Sequence, residues 1–447
     1  MILTPTATVT STTVKQYQPT HSLSSVLNSN ITYTEPLSAK LSVIFNYGLG
    51  INNAISDREA YKQSLPVDPG FSLDPNRYDV VDVNFANNYK FNQLTNQLGA
   101  LFNYRGTKVT LTFGTKATDV NLTQTDQITK NVYKRSYLNW SPQATFRYSF
   151  APSTNFTLSY SGSPTQPRIE QIQPIRTNTD LLNITIGNPD LGPSFSHRFN
   201  TSYSTSKSIS GQYMYFSGSY SFSTNPMINR TDRDPLTGGI TNQTVNLYDK
   251  SPYSYSFSST LSRRILNGIT TELSLSTNYN LGYSYNNGVL STDGRRTLNA
   301  TLYLQKNEVK KYGVSVSGGP TYQINTYSAR PDGNNSPFGY NISASGQLFL
   351  PFKFQIASDI SYRYFGSAQS IPAYDTKLWN ASIIKTFLKG DNLKFMVTGN
   401  NLFNQDAISR NTGNTGVTQS TTNNILRYFM LTVSWDFTKF GTTTVKE

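Results

Sequence analysis

Polar and apolar residues alternate along most of this chain, in segments of about 10 to 15 residues. From Ile269 to Tyr283 every second residue is Ile, Thr, Leu or Tyr, and the residues between them are Thr, Glu, Ser, Asn or Gly. A period of two places successive side chains on opposite faces of a β-strand. The pattern therefore predicts a series of strands, each with one apolar face and one polar face.

The connectors between these segments are short and long in turn. The short ones are Thr34–Lys40, Tyr104–Val109, Ser149–Ser153, Ser206–Gln212, Arg263–Ile269, Gln305–Tyr312, Leu350–Lys353 and Leu388–Asn392. The long ones are Gly50–Lys90, Thr118–Arg135, Gly162–Pro193, Asn225–Ser251, Ser284–Arg295, Asn325–Pro337, Gly366–Tyr374 and Phe403–Ile425. Segments of this length can cross a bilayer as tilted strands, and this rhythm is typical of bacterial outer-membrane barrels. We therefore predict an all-β, antiparallel transmembrane β-barrel with short periplasmic turns and long extracellular loops.

The same rhythm predicts a strand count and domain bounds. It gives 17 strands between about Ser22 and Phe437, and Thr6–Lys15 is a candidate eighteenth, which would make the number even. Residues 22–437 are predicted to form the barrel, residues 1–21 a partial strand or linker, and residues 438–447 a periplasmic tail. Met1–Pro5 lacks the basic and apolar regions of a signal peptide, so we expect a mature or cloned fragment.

Aromatic residues lie at the ends of the predicted strands, beside the turns. Examples are Tyr148 with Phe150 and Phe352 with Phe354. The strands of a water-soluble sandwich also alternate, but two aromatic girdles at membrane interfaces would give this placement. It favours apolar faces that contact lipid.

The composition is consistent with a β-barrel that has a polar, water-filled interior and a narrow apolar band on its outer surface. Aromatic residues make up 13% and charged residues 14% of the chain, and the mean hydropathy is -0.44. The chain contains no cysteine, which excludes disulfides and thiolate metal sites. Its formal net charge is +13, but many Lys and Arg residues flank the short turns, without a recognition helix or a stacking platform. We therefore expect these cations to lie at a membrane interface and exclude nucleic acid as a partner.

Four short stretches carry a resemblance to a known family. They are Tyr33–Leu37 (with Glu35 and Pro36), the stretch Gly187-Asn188-Pro189-Asp190-Leu191-Gly192-Pro193, the stretch Asn401-Leu402-Phe403-Asn404, and Arg427–Phe437. Their order resembles the β-barrel of TonB-dependent outer-membrane receptors, in particular the Bacteroidetes type. Together they extend from about residue 30 to residue 437. Ser194 stands where the family often has an acidic residue, and a tail follows Phe437.

Structural roles are predicted for all four stretches. Pro189 and Pro193 cannot donate to a strand ladder, so they suit a position just before a strand. Gly187 and Asn188 tolerate tight backbone turns, and Pro36 helps to reverse the chain. Tyr428, Trp435 and Phe437 resemble the aromatic signal by which the barrel-assembly machinery recognises its clients.

The resemblance implies a barrel of about 22 strands around an N-terminal plug, of which this chain would supply about 17 to 18 and no plug. TonB would then act only through the missing N-terminal region. Further implied partners are outer-membrane lipid and lipopolysaccharide, the barrel-assembly machinery, and a small-molecule or oligomeric ligand such as a siderophore, glycan or peptide. Within the long loop 163–186, Arg168, Glu170 and Arg176 are candidate ligand-contacting residues.

No catalytic, metal-binding or cofactor-binding residue is predicted. The only histidines are His21 and His197, which are far apart in sequence, and the spacing of the acidic loop residues does not match an EF-hand. We predict that the chain is not an enzyme and has no cofactor. Two alternatives remain open, namely a complete passive porin-like barrel and a secreted β-rich adhesin. The adhesin would require an internal repeat of fixed length, whereas only irregular hairpin spacing is present.

Overall fold

The protein folds almost entirely into β-strands. The computed structural model describes residues 16–17, 19–63, 78–82, 86–172, 176–180, 183–265, 268–368, 372–388, 390–405, 407–413, 416–422 and 426–436. The strands in chain order are β1 (Gln16–Tyr17), β2 (Thr20–Pro36), β3 (Leu41–Arg58), β4 (Tyr61–Gln63), β5 (Tyr78–Val81), β6 (Asn87–Arg105), β7 (Val109–Asp126), β8 (Val132–Ala151), β9 (Thr154–Thr165), β10 (Arg176–Asp180), β11 (Asn183–Ile186), β12 (Ser194–Lys207), β13 (Gln212–Thr224), β14 (Met227–Arg233), β15 (Ile240–Asn246), β16 (Tyr253–Arg264), β17 (Thr270–Asn286), β18 (Val289–Glu308), β19 (Tyr312–Tyr327), β20 (Phe338–Leu350), β21 (Phe354–Phe365), β22 (Tyr374–Phe387), β23 (Leu393–Asn400), β24 (Ala407–Gly413), β25 (Gly416–Thr422) and β26 (Tyr428–Trp435). A one-turn helix α1 (Ile169–Ile172) and 3₁₀ turns at Pro331–Gly333 and Pro351–Lys353 interrupt them.

Seventeen of these strands form the barrel wall, in which each strand pairs antiparallel with the next. The wall strands are β2, β3, β6, β7, β8, β9, β12, β13, β16, β17, β18, β19, β20, β21, β22, β23 and β26. The predicted all-β barrel with 17 strands between about Ser22 and Phe437 is therefore confirmed. Thr6–Lys15, Phe437 and the tail 438–447 lie outside the described residues.

All eight predicted short connectors are turns between consecutive wall strands. Two of the predicted long loops are wrong, because the strands continue through them. β7 continues to Asp126, and β8 begins at Val132. Only Asn287 and Gly288 separate β17 from β18. Asn287 and Gly288 have φ values of 48° and 74°, which is the conformation of a tight hairpin turn.

Each wall strand has an apolar outer face and a mostly polar lumen face, as the alternation predicts. Register places Val43 opposite Phe102 and Tyr47 opposite Leu98 on the outer face. The side chains between them, such as Asn46 and Gln97, lie on the lumen face. Large apolar side chains on the outer face are solvent-accessible, which is the arrangement expected of a surface that contacts lipid.

Aromatic rings on the outer face form clusters near both ends of the strands. Near the loop end, His197 stacks on Phe222 with 4.5 Å between ring centroids, and the Phe195 ring is 4.7 Å from His197. Near the short-turn end, Tyr148 and Phe150 are in edge contact at 4.7 Å. These clusters correspond to the two girdles that the sequence predicts.

The wall has two edge strands among the strands that the structure describes. β2 pairs only with β3, and β26 pairs only with β23. Both β2 and β26 run from the loop side toward the short-turn side, so they are parallel to each other. None of the described helices is long and apolar enough to cross a membrane.

Candidate functional site

Parts of two long loops combine into one structure at the loop end of the barrel. We call it the loop assembly; it consists of α1, β10, β11, residues 187–193, β14 and β15. β11 pairs in parallel with β15, and β14 pairs with β15 and touches β17 at Arg230 and Thr231. Two loops that are separate in sequence are therefore joined by backbone hydrogen bonds to each other and to the wall.

The loop assembly packs on the lumen face through a small apolar core. Leu191 and Ile172, which are 2% and 3% exposed, pack with Phe91 of β6 and Leu122 of β7. Register places Phe91 and Leu122 on the lumen face. The loops therefore fold inward over the lumen.

Residues 187–193 hold the loop assembly together by hydrogen bonds. The Asn188 side-chain amide donates to the Thr244 carbonyl (3.0 Å), and the Asn246 side chain accepts from the Gly192 N–H (2.8 Å). The Asn188 N–H donates to the Gln171 carbonyl at the end of α1 (2.6 Å). The motif thus connects α1 to β15, a contact set consistent with the structural role that the sequence predicts for it.

Arg135 fixes the motif to the wall. It lies on the lumen face of β8, and its Nη2 donates to the Pro189 carbonyl at 2.5 Å. The sequence alternation places Arg135 on the lumen side, but nothing local to it indicates a partner 54 residues away.

The lumen face is basic. Among the wall side chains that the structure describes, the basic ones on this face are Arg105, Lys116, Arg135, Arg147, Arg198, Arg264, Arg295, Arg363 and Lys394. The acidic ones among the described wall side chains are Asp126, Glu272, Asp293 and Asp359. Such an excess of positive charge in an enclosed space favours anionic solutes.

Hydroxyl groups cover much of the remaining lumen face. Cross-strand serine pairs join β13 to β16 and β19 to β20 at 2.6 to 2.8 Å. They are Ser217–Ser258, Ser219–Ser256, Ser221–Ser254, Ser315–Ser345 and Ser317–Ser343. A hydroxyl lining suits hydrophilic, hydrogen-bonding solutes.

The Asn401–Asn404 stretch forms a turn directly after β23 that bonds to the middle of β22 and to the residue before β26. Asn401 and Asn404 have positive φ values of 48° and 59°, a region that Asn tolerates better than most residues. The Asn401 N–H donates to the Asn380 side chain of β22 (2.9 Å), the Leu402 N–H donates to the Trp379 carbonyl, and the Arg427 N–H donates to the Asn404 side chain (3.0 Å). Phe403 packs against Trp379 with 5.6 Å between centroids.

The remaining motif residues lie on β2 and β26. The Tyr33 hydroxyl donates to the Glu35 carboxylate on the outer face, and Pro36 ends β2 opposite Ser42. Trp435 lies on the outer face opposite Leu393, whereas Tyr428 lies on the lumen face opposite Asn400. The role of Tyr428, Trp435 and Phe437 in assembly stays a prediction.

The candidate ligand residues lie in or beside the loop assembly. Arg168 directly precedes α1 and is exposed, and its backbone N–H donates to the Gln171 side chain (2.8 Å). Glu170 lies in α1, and Arg176 begins β10 opposite Ile186. The side chains of Glu170 and Arg176 lie outside the described part of the structure.

The prediction that the chain has no catalytic or metal-binding residue stays a prediction. His197 Nδ1 is 3.1 Å from the Tyr160 hydroxyl, on the outer face among aromatic rings. Within the described ranges no three His, Cys, Asp or Glu side chains are grouped to hold a metal ion.

Asp126 organises the turn between β7 and β8 above the membrane. Beyond Ala117 the outer face of β7 carries only Asp119, Asn121, Thr123 and Thr125, so this end of the hairpin projects into water. Burial opposes ionisation of Asp126, but hydrogen bonds from the Thr129 hydroxyl (2.7 Å) and from the N–H groups of Thr129 (3.0 Å) and Ile128 (2.8 Å) outweigh it and lower its pKa.

Comparisons with known proteins agree with this architecture. Residues 3–435 match the outer membrane protein beta-barrel family. None of the curated proteins matches the sequence.

The solved structures to which the chain shows a distant similarity include three transport or receptor proteins. The copper transporter OprC is 10% identical, with 93% of this chain and 74% of that chain covered and a TM-score of 0.46. The ferripyoverdine receptor of Pseudomonas aeruginosa is 11% identical (94% and 71% covered, TM-score 0.31), and the outer membrane transporter YddB of Escherichia coli is 10% identical (89% and 76% covered, TM-score 0.26). The strand architecture and the family match over nearly the whole chain show that this protein belongs to the outer membrane protein beta-barrel family and resides in the bacterial outer membrane.

Proposed function

We propose that this chain is the barrel of a TonB-dependent receptor-like protein that takes up a hydrophilic ligand such as a siderophore, glycan or peptide. The observation that carries the proposal is the loop assembly, whose Leu191 and Ile172 are buried against the lumen-facing Phe91 and Leu122. Loops fixed over a basic, hydroxyl-lined lumen give an incoming ligand a defined surface to bind before it crosses the membrane.

Energy for uptake would come from TonB, through a segment outside the barrel wall. The barrel-assembly machinery would insert the barrel, with β26 as the recognised strand. The outer face and its aromatic clusters would contact lipid, including lipopolysaccharide on the loop side.

Dependence of uptake on TonB tests the proposal. Cells that carry the intact chromosomal gene, a gene deletion, or a TonB deletion would be compared for accumulation of radiolabelled ferric siderophores, oligosaccharides and peptides. We expect at least one probe to accumulate only when both the gene and TonB are present. Accumulation that needs the gene but not TonB would identify a passive pore and contradict the proposal.

A further inference from the structure

A cavity of about 390 Å³ lies on the lumen face at the loop ends of β18–β21. It is separate from the apolar core of the loop assembly. Arg295, Arg363, Thr321, Gln323, Asn341 and Phe365 contribute to its lining. The cavity is within the size range of small-ligand pockets.

Arg295 and Arg363 reach this cavity from two different strands. Arg295 lies opposite Asn325, and Arg363 lies opposite Asn341, both on the lumen face. The described residues that line the cavity include no Asp or Glu.

The Arg363 guanidinium makes a cation–π contact with a stacked aromatic pair. Its guanidinium carbon is 5.8 Å from the centroid of Phe365, and Phe365 stacks on Tyr374 at 4.6 Å with an interplanar angle of 18°. Gly339 pairs with Phe365 and places no side chain on the lumen face beside it. The guanidinium is therefore oriented before a ligand arrives, which lowers the entropy that binding costs.

We infer that this cavity binds an oxyanion-bearing, hydroxylated group of the ligand, namely a carboxylated or phosphorylated sugar. A guanidinium matches both carboxylate and phosphate with two parallel hydrogen bonds. Asn341, Gln323 and Thr321 supply the amide and hydroxyl groups that sugar hydroxyls need. This assignment rests on the proposed function, because it identifies the chemical class of the solute taken up.

Binding of three sugars that differ only in charge tests this inference. The protein, purified in detergent from outer membranes of cells that carry the intact chromosomal gene, would be titrated with galactose, galacturonate and galactose 6-phosphate, and binding followed by ligand-observed NMR. We expect at least one anionic sugar to bind tenfold or more tightly than galactose. The anionic sugar that binds more tightly shows whether the cavity prefers a carboxylate or a phosphate group. Equal binding of all three would overturn the inference.

Substitutions assign the binding to the cavity. Arg363→Gln should weaken the anionic sugar at least tenfold, and Arg363→Lys should weaken it less, because charge remains but the two-point geometry is lost. Arg296→Gln is the matched control, since Arg296 follows Arg295 but lies on the outer face over Tyr279. Equal losses in Arg296→Gln and Arg363→Gln, with both variants folded on unheated gels, would overturn the inference.

The outcomes separate this site from the proposed function. If sugar binding depends on Arg363 but uptake does not depend on TonB, the result supports the binding site and contradicts energised uptake. TonB-dependent uptake of other probes, without anionic-sugar binding, would support energised uptake and contradict the anionic-sugar site.

Discussion

Leu191 supplies apolar packing between the loop assembly and the wall, beside the Arg135–Pro189 hydrogen bond and the pairing of β14 with β17. It is 2% exposed in a core made with Phe91, Leu122 and Ile172. Because these partners come from three separate segments, removing the Leu191 side chain leaves a cavity in the apolar core that they share.

Leu191→Ala should loosen the packing of the loop assembly on the wall without unfolding the wall. Loss of a buried leucine side chain typically costs about 2–5 kcal/mol, and here the cost falls on local packing. Amide hydrogen exchange should accelerate in α1 and β15 and stay unchanged in β20 and β21. Asp190→Ala is the control, because Asp190 is exposed. Equal protection in both variants would show that the apolar core does not hold the loops.

Asp126 gives the turn between β7 and β8 a defined pH dependence. Its pKa is lowered in the folded state, so its stabilising effect is present above the unfolded pKa of about 3.9 and is lost as the pH falls through the lower folded pKa. A spin label at Lys130→Cys, in a chain without other cysteines, should become more mobile below about pH 4. Asp126→Asn should abolish this pH response. An unchanged response in Asp126→Asn would assign the transition to another group.

At the scale of elements, the Asn401–Asn404 turn shows how a short motif stabilises several strands. Its backbone and side chains bond to β22 and to the residue that precedes β26. Asn404 combines a left-handed backbone with a side-chain acceptor for the Arg427 N–H.

Two substitutions separate these contributions. Asn404→Gly keeps the backbone conformation accessible and loses only the hydrogen bond, worth about 0.5–1.5 kcal/mol. Asn404→Ala loses the hydrogen bond and adds strain of about 1 kcal/mol. The temperature at which the folded gel band disappears should therefore fall in the order wild type, Asn404→Gly, Asn404→Ala. If Asn404→Ala were more stable than Asn404→Gly, the left-handed backbone conformation of residue 404 would not be what determines the stability of this turn.

Sequence patterns predicted those parts of the fold that local physics determines. Period-two alternation sets the two faces of each strand, and turn residues set the short connectors, so both were correct. The same alternation continues through Val120 and Leu122, which explains why the predicted long loop at 118–135 is wrong. The core of the loop assembly was not predictable, because Phe91 and Leu191 are 100 residues apart and no period connects them. Apolar residues on an otherwise polar lumen face were the available signal.

At the scale of the whole molecule, the two rims of the barrel should face different compartments. Leu236 in the β14–β15 turn and Ile209 in the β12–β13 turn are 94% and 103% exposed, so they report on opposite rims with equal accessibility. On intact cells, a membrane-impermeant maleimide should label Leu236→Cys and should label Ile209→Cys only after lysis. Labelling in the opposite pattern would invert the topology.

The edge strands β2 and β26 determine how the wall can close. Because both run toward the short-turn rim, direct pairing would be parallel, whereas an odd number of strands between them keeps every pair antiparallel. One intervening strand separates its neighbours by about 9–10 Å, which exceeds the Cα distance of a disulfide.

Disulfide trapping across this seam distinguishes the two closures. We expect Thr32→Cys on the lumen face of β2 to form no disulfide with Cys at Met430, Thr432 or Ser434, the lumen-facing positions of β26. Thr32→Cys with Asn46→Cys is the positive control, because these residues pair directly across β2 and β3 and their side chains are 3.0 Å apart. A disulfide between Thr32→Cys and any of the three β26 positions would show direct parallel closure. Its absence, with the control pair oxidised, would show that β2 and β26 are not paired directly at these positions, as expected if every pair in the closed wall is antiparallel.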